Sequence, residues 1–299
     1  MLSIPNLELN EMLNSFDNFL FDADGVLWLG NQPIPGAIDF INLLVNKNKN
    51  VYLISNNSTK TLEDYGKKLV KLGFNNIPLK NVFTPAIVGA DYISKNRKSN
   101  NPAYVIGTSG LGKTLRNAGV DTIGIGEDHF GKYTKTDFLE NINLESPVSA
   151  VVVSYDNHFS YTKMMKAANY LINEDVLFIV TNEDKTFPGP NPSVIIPGSG
   201  SMAAAVIACA PRSPIVIGKP HTTIFEYMKT HIMINESRTI MFGDRLDTDI
   251  AFAHNNGLKS CLVETGIHKL SDVLNLPKDL KNRNTLIPHY IISNFKVFI

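Results

Sequence analysis

The chain has 299 residues, enough for one large core or two moderate ones, and an ordinary globular composition of 43% hydrophobic and 19% charged residues. Lys and Arg together number 28, as do Asp and Glu, so the formal net charge is zero; bulk electrostatics gives no reason to expect nucleic acid or an anionic membrane as partner. Apolar runs such as Ala203–Ala210 are far too short to span a bilayer. Met1–Phe19 has neither the basic nor the apolar region of a secretory signal. Cys209 and Cys261 lie far apart without metal-ligand spacing, so a disulfide framework is not expected and a reducing, cytoplasmic setting is. The histidines are scattered and give a zinc site no support.

In chain order, Phe19–Phe21 reads as the end of a strand buried on both faces, running into Asp22-Ala23-Asp24-Gly25. Alone, two such acids are an ordinary strand-end turn. A helix over Pro35–Lys47 places Ile38, Ile41, Leu44 and Val45 at helical spacing. Strand Val51–Ile54 ends in Ser55-Asn56-Asn57-Ser58, and a helix from Thr59 to Leu72 stops at Gly73. This cadence predicts right-handed βαβ units and a parallel sheet. Another helix opens at Thr84-Pro85 and runs to about Asn96; the polar stretch Lys95–Pro102 then marks a domain boundary.

Beyond it come strand Ala103–Ile106, a helix near Leu111–Ala118, strand Thr122–Ile125, a charged polar stretch and strand Ala150–Val153. A helix over Tyr161–Asn173 is expected to turn Met164, Met165, Ala168, Leu171 and Ile172 inward, with the methionines as core filler. Strand Val176–Val180, loops over Phe187–Pro192 and Ile196–Ser201, and helix Met202–Cys209 follow. The last third returns to the first rhythm. Strand Ile215–Ile217 ends in Gly218-Lys219-Pro220, and helix Thr223–His231 follows. Strand Thr239–Phe242 ends in Gly243-Asp244-Arg245-Leu246-Asp247-Thr248-Asp249, helix Ile250–Asn256 stops at Gly257, and Ser260–Val263 is a final core strand.

Ligand-binding residues of a parallel α/β sheet collect beyond the carboxyl ends of its strands. Here four strands end in complementary groups: Asp22 and Asp24; Ser55, Asn56 and Asn57; Lys219; and Asp244 with Asp247 and Asp249. Several carboxylates on one spot repel unless a hard divalent cation neutralises them, and the lysine and Ser/Asn donors complement a phosphate dianion. An acidic metal site beside an anion site is a phosphoryl-transfer arrangement.

On these motifs the chain resembles the haloacid-dehalogenase-like hydrolases, over roughly Asp17–Gly266. Phe21–Gly30, Ser55–Lys60, Val151–Ser160, Thr181–Asp184, Gly218–Pro220 and Gly243–Ile250 are closest to the branch of phosphoglycolate, 4-nitrophenyl and pyridoxal phosphatases. The resemblance implies an α/β fold: a Rossmann-like parallel-sheet core, residues 1–102 and 213–299, with an inserted C2-type α/β cap, residues 103–212. It further implies that Asp22 attacks phosphorus to give an aspartyl-phosphate, while Asp24 protonates the leaving alkoxide and later activates water. Mg²⁺ would sit on the Asp22 carboxylate, the Asp24 backbone carbonyl and Asp244, with Asp249 in its outer coordination sphere. Ser55, Asn56, Asn57 and Lys219 would hold the phosphate oxygens of a small phosphorylated metabolite. Asp247 is left out, as a partner of Arg245 or a solvent-facing acid. A homodimer through the cap is an expectation of the resemblance alone.

Branch members that prefer pyridoxal phosphate present a histidine just before the proline after the Thr-x-x-Asp turn. Phe187 stands there, before Pro188, which favours a small phosphorylated acid such as 2-phosphoglycolate, with pyridoxal phosphate as the alternative. The chain departs from its branch at Ala23, often a cysteine, and at Ser154, where the cap strand usually ends in glycine. A competing nucleotide-binding reading comes from Gly107-Thr108-Ser109-Gly110-Leu111-Gly112-Lys113-Thr114, which fits the Walker A pattern between a strand and a helix. Against it, no good second acidic motif follows Val151–Val153.

Overall fold

The computed structural model describes residues 4–128, 142, 144–187 and 193–299. They form two compact units: the first takes the chain up to Ser55, Leu62–Thr84 and Gly218–Ile299, the second Asn56–Thr61 and Pro85–Ile217.

In the first unit, α1 (Leu9–Ser15) precedes β1 (Asn18–Phe21), buried along its whole length as the apolar run predicts. A hairpin of β2 (Trp28–Leu29) and β3 (Gln32–Pro33) leads to α2 (Ala37–Asn46), which puts Phe40, Ile41 and Leu44 into the core. β4 (Asn50–Ile54) is followed by α3 (Leu62–Leu72), three residues later than the expected start at Thr59. The Asn57 side-chain oxygen accepts from the Thr59 amide and hydroxyl at 2.9 and 2.7 Å, a local turn that competes with the first helical bonds. β5 (Val82–Phe83) ends this part.

The second unit runs α4 (Pro85–Asn96), β6 (Ala103–Ile106), α5 (Ser109–Asn117), β7 (Thr122–Ile123), β8 (Ala150–Val153), α6 (Tyr161–Tyr170) and β9 (Leu177–Val180). An antiparallel ribbon of β10 (Thr186–Phe187) and β11 (Ile196–Pro197), then α7 (Ser199–Cys209) and β12 (Ile215–Val216), complete it. Its sheet is parallel, in the order β12-β9-β8-β6-β7. Pro188–Pro192 and most of the charged stretch before Ala150 lie outside the described residues. Ser154, the departure after β8, has a partner: its hydroxyl is 2.6 Å from that of Ser58, both buried.

One expectation fails in part in this unit, and one competing reading loses its ground. The inward face of α6 is Lys163, Lys166, Ala167 and Tyr170, continued by Leu171 as expected; Met164 packs half-buried against this core, whereas Met165 and Ala168 are only half-buried and Ile172 is exposed. Paired charges can be buried, so lysine did not mark the wet face: Lys163 Nζ lies 2.6 Å from Asp156, and Lys166 Nζ 3.0 Å from Asp128 and 3.2 Å from Glu145. The Walker-like stretch is not a phosphate cradle. Only Gly107 and Thr108 separate β6 from α5, so Ser109–Thr114 are already helical, with Thr108 as the N-cap accepting from Leu111. A Cβ at Gly110 would lie 2.2 Å from the Thr59 carbonyl oxygen, so chain occupies the space beside this turn.

Returning to the first unit, α8 (Thr223–His231) precedes β13 (Thr239–Gly243). The expected helix from Ile250 begins instead as a wide turn over Leu246–Ile250, followed by α9 (Ala251–Asn255). After β14 (Lys259–Val263) and α10 (Leu270–Leu274), β15 (Tyr290–Ile292) pairs with β14, so Ser260–Val263 is not the final strand. The six-stranded sheet is parallel throughout, in the order β15-β14-β13-β1-β4-β5, with β1 flanked on both sides. Strand Ile215–Ile217, grouped by sequence with the last third, pairs with β9 of the other sheet. Both sheets fit the expected fold, a Rossmann-like core with an inserted α/β cap of C2 type.

Candidate active site

The site begins where β1 stops. Asp22 keeps the sheet's register, its amide donating to the Phe242 carbonyl at 2.9 Å, so its side chain stands at the carboxyl end of the sheet's central strands. Lys219, only 1% exposed, donates to Asp22 Oδ1 at 2.5 Å, to Asp249 Oδ1 at 2.7 Å and to the Ile54 carbonyl at 2.9 Å. An ammonium has three protons, and all three have acceptors here. One buried cation thus joins the ends of β1 and β4 to the turn after β13.

That turn is shaped to bring Asp249 back. The amides of Asp249 and Ile250 both donate to the Arg245 carbonyl at 3.1 Å, and Asp249 Oδ2 accepts from the amides of Asp244 and Arg245 at 3.2 and 3.1 Å. A Cβ at Gly243 would lie 2.0 Å from that of Asp249, so only glycine lets the turn fold onto the strand end. Asp244 is held from another loop: its Oδ2 accepts from the Ile267 amide at 2.8 Å, and a Cβ at Gly266 would sit 1.9 Å from the same oxygen. The loop is anchored by Thr265, whose hydroxyl donates to the Gly25 carbonyl at 2.6 Å, and by the His268 amide, 3.0 Å from the Asp244 carbonyl.

Burial raises the Asp22 carboxyl well above the usual range; the Lys219 charge opposes this, and Asp249 and Asp244 add to it. Asp244 is pushed up to about 7, by burial first and then by the charge of Asp249. Burial pulls Lys219 down, but the Asp22 and Asp249 charges outweigh it and hold the ammonium above its ordinary value. Asp22, Asp244 and Asp249 each offer an oxygen within 4.8 Å of the others. With all three ionised, three carboxylates against one ammonium would leave two negative charges, the charge of one divalent cation, and that mutual repulsion is part of what raises Asp22 and Asp244 here.

Asp24 lies two residues beyond Asp22, with its side chain 42% exposed. Ser55 is buried, its amide bonded to the Phe83 carbonyl at 3.1 Å and its side chain bonded to Tyr65. Asn56 and Asn57 belong to the second unit, where Asn56 Nδ2 reaches Asp184 at 3.3 Å and Asn182 donates to the Asn56 carbonyl at 2.9 Å. Asp247 makes a two-pronged pair with Arg245, at 3.1 and 2.9 Å, and that pairing holds its carboxyl below the usual range against the effect of burial. Sequence reasoning passed over the Thr265–His268 loop, although it follows directly on β14, the same strand-end placement that marked the motifs. It also passed over Trp28 and Lys68, which contact Asp24.

The haloacid dehalogenase-like hydrolase family model matches residues 19–121, and a second, HAD-hydrolase-like, model matches residues 216–295. A Caenorhabditis elegans protein carrying a NipSnap name is 50% identical over 86% of this chain, which spans only 49% of that protein. Glycerol-3-phosphate phosphatase of Rattus norvegicus is 38% identical, covering 95% of this chain and 90% of its own. The 4-nitrophenylphosphatase of Schizosaccharomyces pombe is 34% identical, over 98% and 96%. Among solved structures, a 4-nitrophenylphosphatase from Thermotoga maritima superposes with a TM-score of 0.74 at 25% identity, over 95% of this chain and 96% of its own. A glycerol phosphate phosphatase from Mycobacterium tuberculosis, in complex with magnesium, shares the fold with a TM-score of 0.75 at 23% identity, over 96% and 77%. With the strand-end motifs in place and relatives matching nearly end to end, the chain belongs to the haloacid dehalogenase-like hydrolases, in their phosphoric monoester hydrolase branch of glycerol-3-phosphate, 4-nitrophenyl and phosphoglycolate phosphatases.

Proposed function

We propose that this chain hydrolyses small phosphomonoesters through an aspartyl-phosphate on Asp22, with Mg²⁺ as its cofactor. The observation that carries the proposal is Lys219, bonded to both Asp22 and Asp249 beside the raised Asp244 carboxyl. The donor set fits the metal: three carboxylate side chains offer oxygens within 4.8 Å of one another, and when all are ionised the single Lys219 ammonium leaves two of their charges uncompensated. Asp22, the Asp24 backbone carbonyl and Asp244 would hold Mg²⁺, with Asp249 behind them, and the ion would neutralise phosphate charge beside the nucleophile.

The chain's own groups divide the work. Asp22 attacks phosphorus as the bond to the leaving oxygen breaks, and Asp24 gives that oxygen its proton. Asp24, now a base, takes a proton from the water that hydrolyses the aspartyl-phosphate, which frees inorganic phosphate and restores Asp22. Lys219 fixes the Asp22 carboxylate and supplies positive charge where phosphate charge gathers, and Ser55, at the end of β4, adds a neutral donor. Of the expected catalytic core, residues 1–102 and 213–299, and specificity cap, 103–212, the segments 85–102 and 213–217 pack with the second unit, so we assign them to the cap.

The substrate we assign is a small phosphomonoester of the 2-phosphoglycolate or glycerol 3-phosphate kind. Relatives named for glycerol 3-phosphate, and Phe187 standing edge-on to Tyr155 at 5.3 Å where a histidine would suit pyridoxal phosphate, support this over the vitamin. Asp22→Asn should abolish turnover of 4-nitrophenyl phosphate with the fold intact by circular dichroism, and chelation of Mg²⁺ should do the same reversibly. Turnover by Asp22→Asn at the wild-type rate would sink the proposal. A panel of 2-phosphoglycolate, 2-phospholactate, glycerol 3-phosphate and pyridoxal phosphate, scored by kcat/KM, ranks the substrates.

A further inference from the structure

The loop after Asp24 is tight. The Gly25 amide donates to the Trp28 carbonyl at 2.7 Å, and the Leu27 and Trp28 amides donate to the Ala23 carbonyl at 3.0 and 3.2 Å. This returns the fully buried Trp28 to Asp24, where the indole Nε1–H donates to Asp24 Oδ1 at 2.8 Å. From α3, Lys68 Nζ approaches the same oxygen at 3.5 Å and lies 4.5 Å from the centre of the Trp28 ring, with its side chain 12% exposed. Two donors from two elements therefore meet on Oδ1. Among the described residues, Oδ2 has no hydrogen-bond or ion-pair partner.

An indole N–H and an ammonium can only donate, so neither gains from a proton on the oxygen it faces. Oδ1 is therefore the accepting oxygen whether the group is carboxylate or carboxylic acid, and in the acid form the proton belongs on Oδ2. The ring also fixes the lysine by a cation–π contact. We propose that Trp28 and Lys68 are positioning residues for Asp24, anchoring Oδ1 so that Oδ2 carries the proton passed to the leaving oxygen. The inference rests on the proposed role of Asp24 as proton carrier, and it adds which oxygen works and what aims it. An atom misplaced by about 1 Å in such a transfer costs on the order of a hundredfold in rate.

The test uses two esters that differ in their need for a proton. An alkyl phosphomonoester such as glycerol 3-phosphate expels a poor leaving group that must be protonated. 4-Nitrophenyl phosphate expels a stable anion that leaves without help. Because kcat/KM reports only steps up to the departure of the alcohol, hydrolysis of the aspartyl-phosphate does not enter it. Trp28→Phe, which keeps an aromatic ring and loses the N–H, and Lys68→Met, which keeps the stem and loses the charge, should each lower kcat/KM for glycerol 3-phosphate roughly tenfold. Each should leave 4-nitrophenyl phosphate within about twofold. Equal falls for both esters, or no fall for either in Lys68→Met, overturn the inference alone when the wild type is active and Asp22→Asn is not. A wild type without turnover of either ester sinks the phosphatase proposal and this inference together.

Discussion

Lys219 shows how one side chain can organise a site. Its ammonium is almost completely buried, which is tolerable only because Asp22, Asp249 and the Ile54 carbonyl surround it. Removing one member of a buried charge group leaves the others uncompensated, at a cost of about 3–5 kcal/mol. Lys219→Met should therefore lose turnover and also lose stability of that order in urea unfolding without divalent metal. Added Mg²⁺ should recover part of the stability, because a cation again opposes the two carboxylates. A variant as stable as the wild type in metal-free buffer would show that the pairing contributes nothing to the fold.

At the scale of an element, α6 is the helix whose orientation sequence periodicity misjudged. Its methionines suggested one inward face, and its lysines hold another. Lys163 is 0% exposed and its partner Asp156 is 1% exposed; Asp156 also accepts from the His158 amide at 2.8 Å, so the pair pins the helix to the loop after β8. Lys163→Met should destabilise the chain by about 3–5 kcal/mol, and adding Asp156→Leu should restore much of the loss, since an apolar pair of similar volume can replace a buried ion pair. The urea midpoints of the single and double variants measure the difference. A double variant no better than the single would place the cost in packing instead of charge.

For the whole molecule, the sheet of the first unit is assembled from remote segments, and its edge carries a pH-sensitive contact. His289, just before β15, accepts the Ser260 amide of β14 on Nδ1 at 3.2 Å, with its ring stacked 4.8 Å from that of His254. Burial first, then the charge of Lys259, lowers its pKa from 6.5 to about 4. Between those values the unfolded chain binds a proton that the folded chain does not. Stability therefore rises with pH across that window and is lost as pH falls from about 6.5 toward about 4; below it, both states are protonated and the slope ends. His289→Gln, which keeps an acceptor and does not titrate, should flatten unfolding free energy against pH there. A slope identical to the wild type's would assign the acid sensitivity to other groups.

What the sequence by itself determined was local. Each motif pairs a short apolar strand with polar residues at its end, so the strands, their direction and the kind of chemistry at their tips could be read from neighbouring residues. The pairing of Arg245 with Asp247, two positions apart, was legible for the same reason. Tertiary structure decided whatever depends on residues distant in the chain. Lys219 reaches Asp22 across 197 positions, and its strand joins the other sheet, which no apolar run announces. The Gly266 loop and the paired lysines of α6 likewise take their meaning from partners on other elements. The glycine-rich turn at 107–114 belongs there too: its letters allow a phosphate cradle, and the immediate start of α5 with the Thr59 backbone against Gly110 removes it. A motif states which groups are present, and packing decides which of them have room to act.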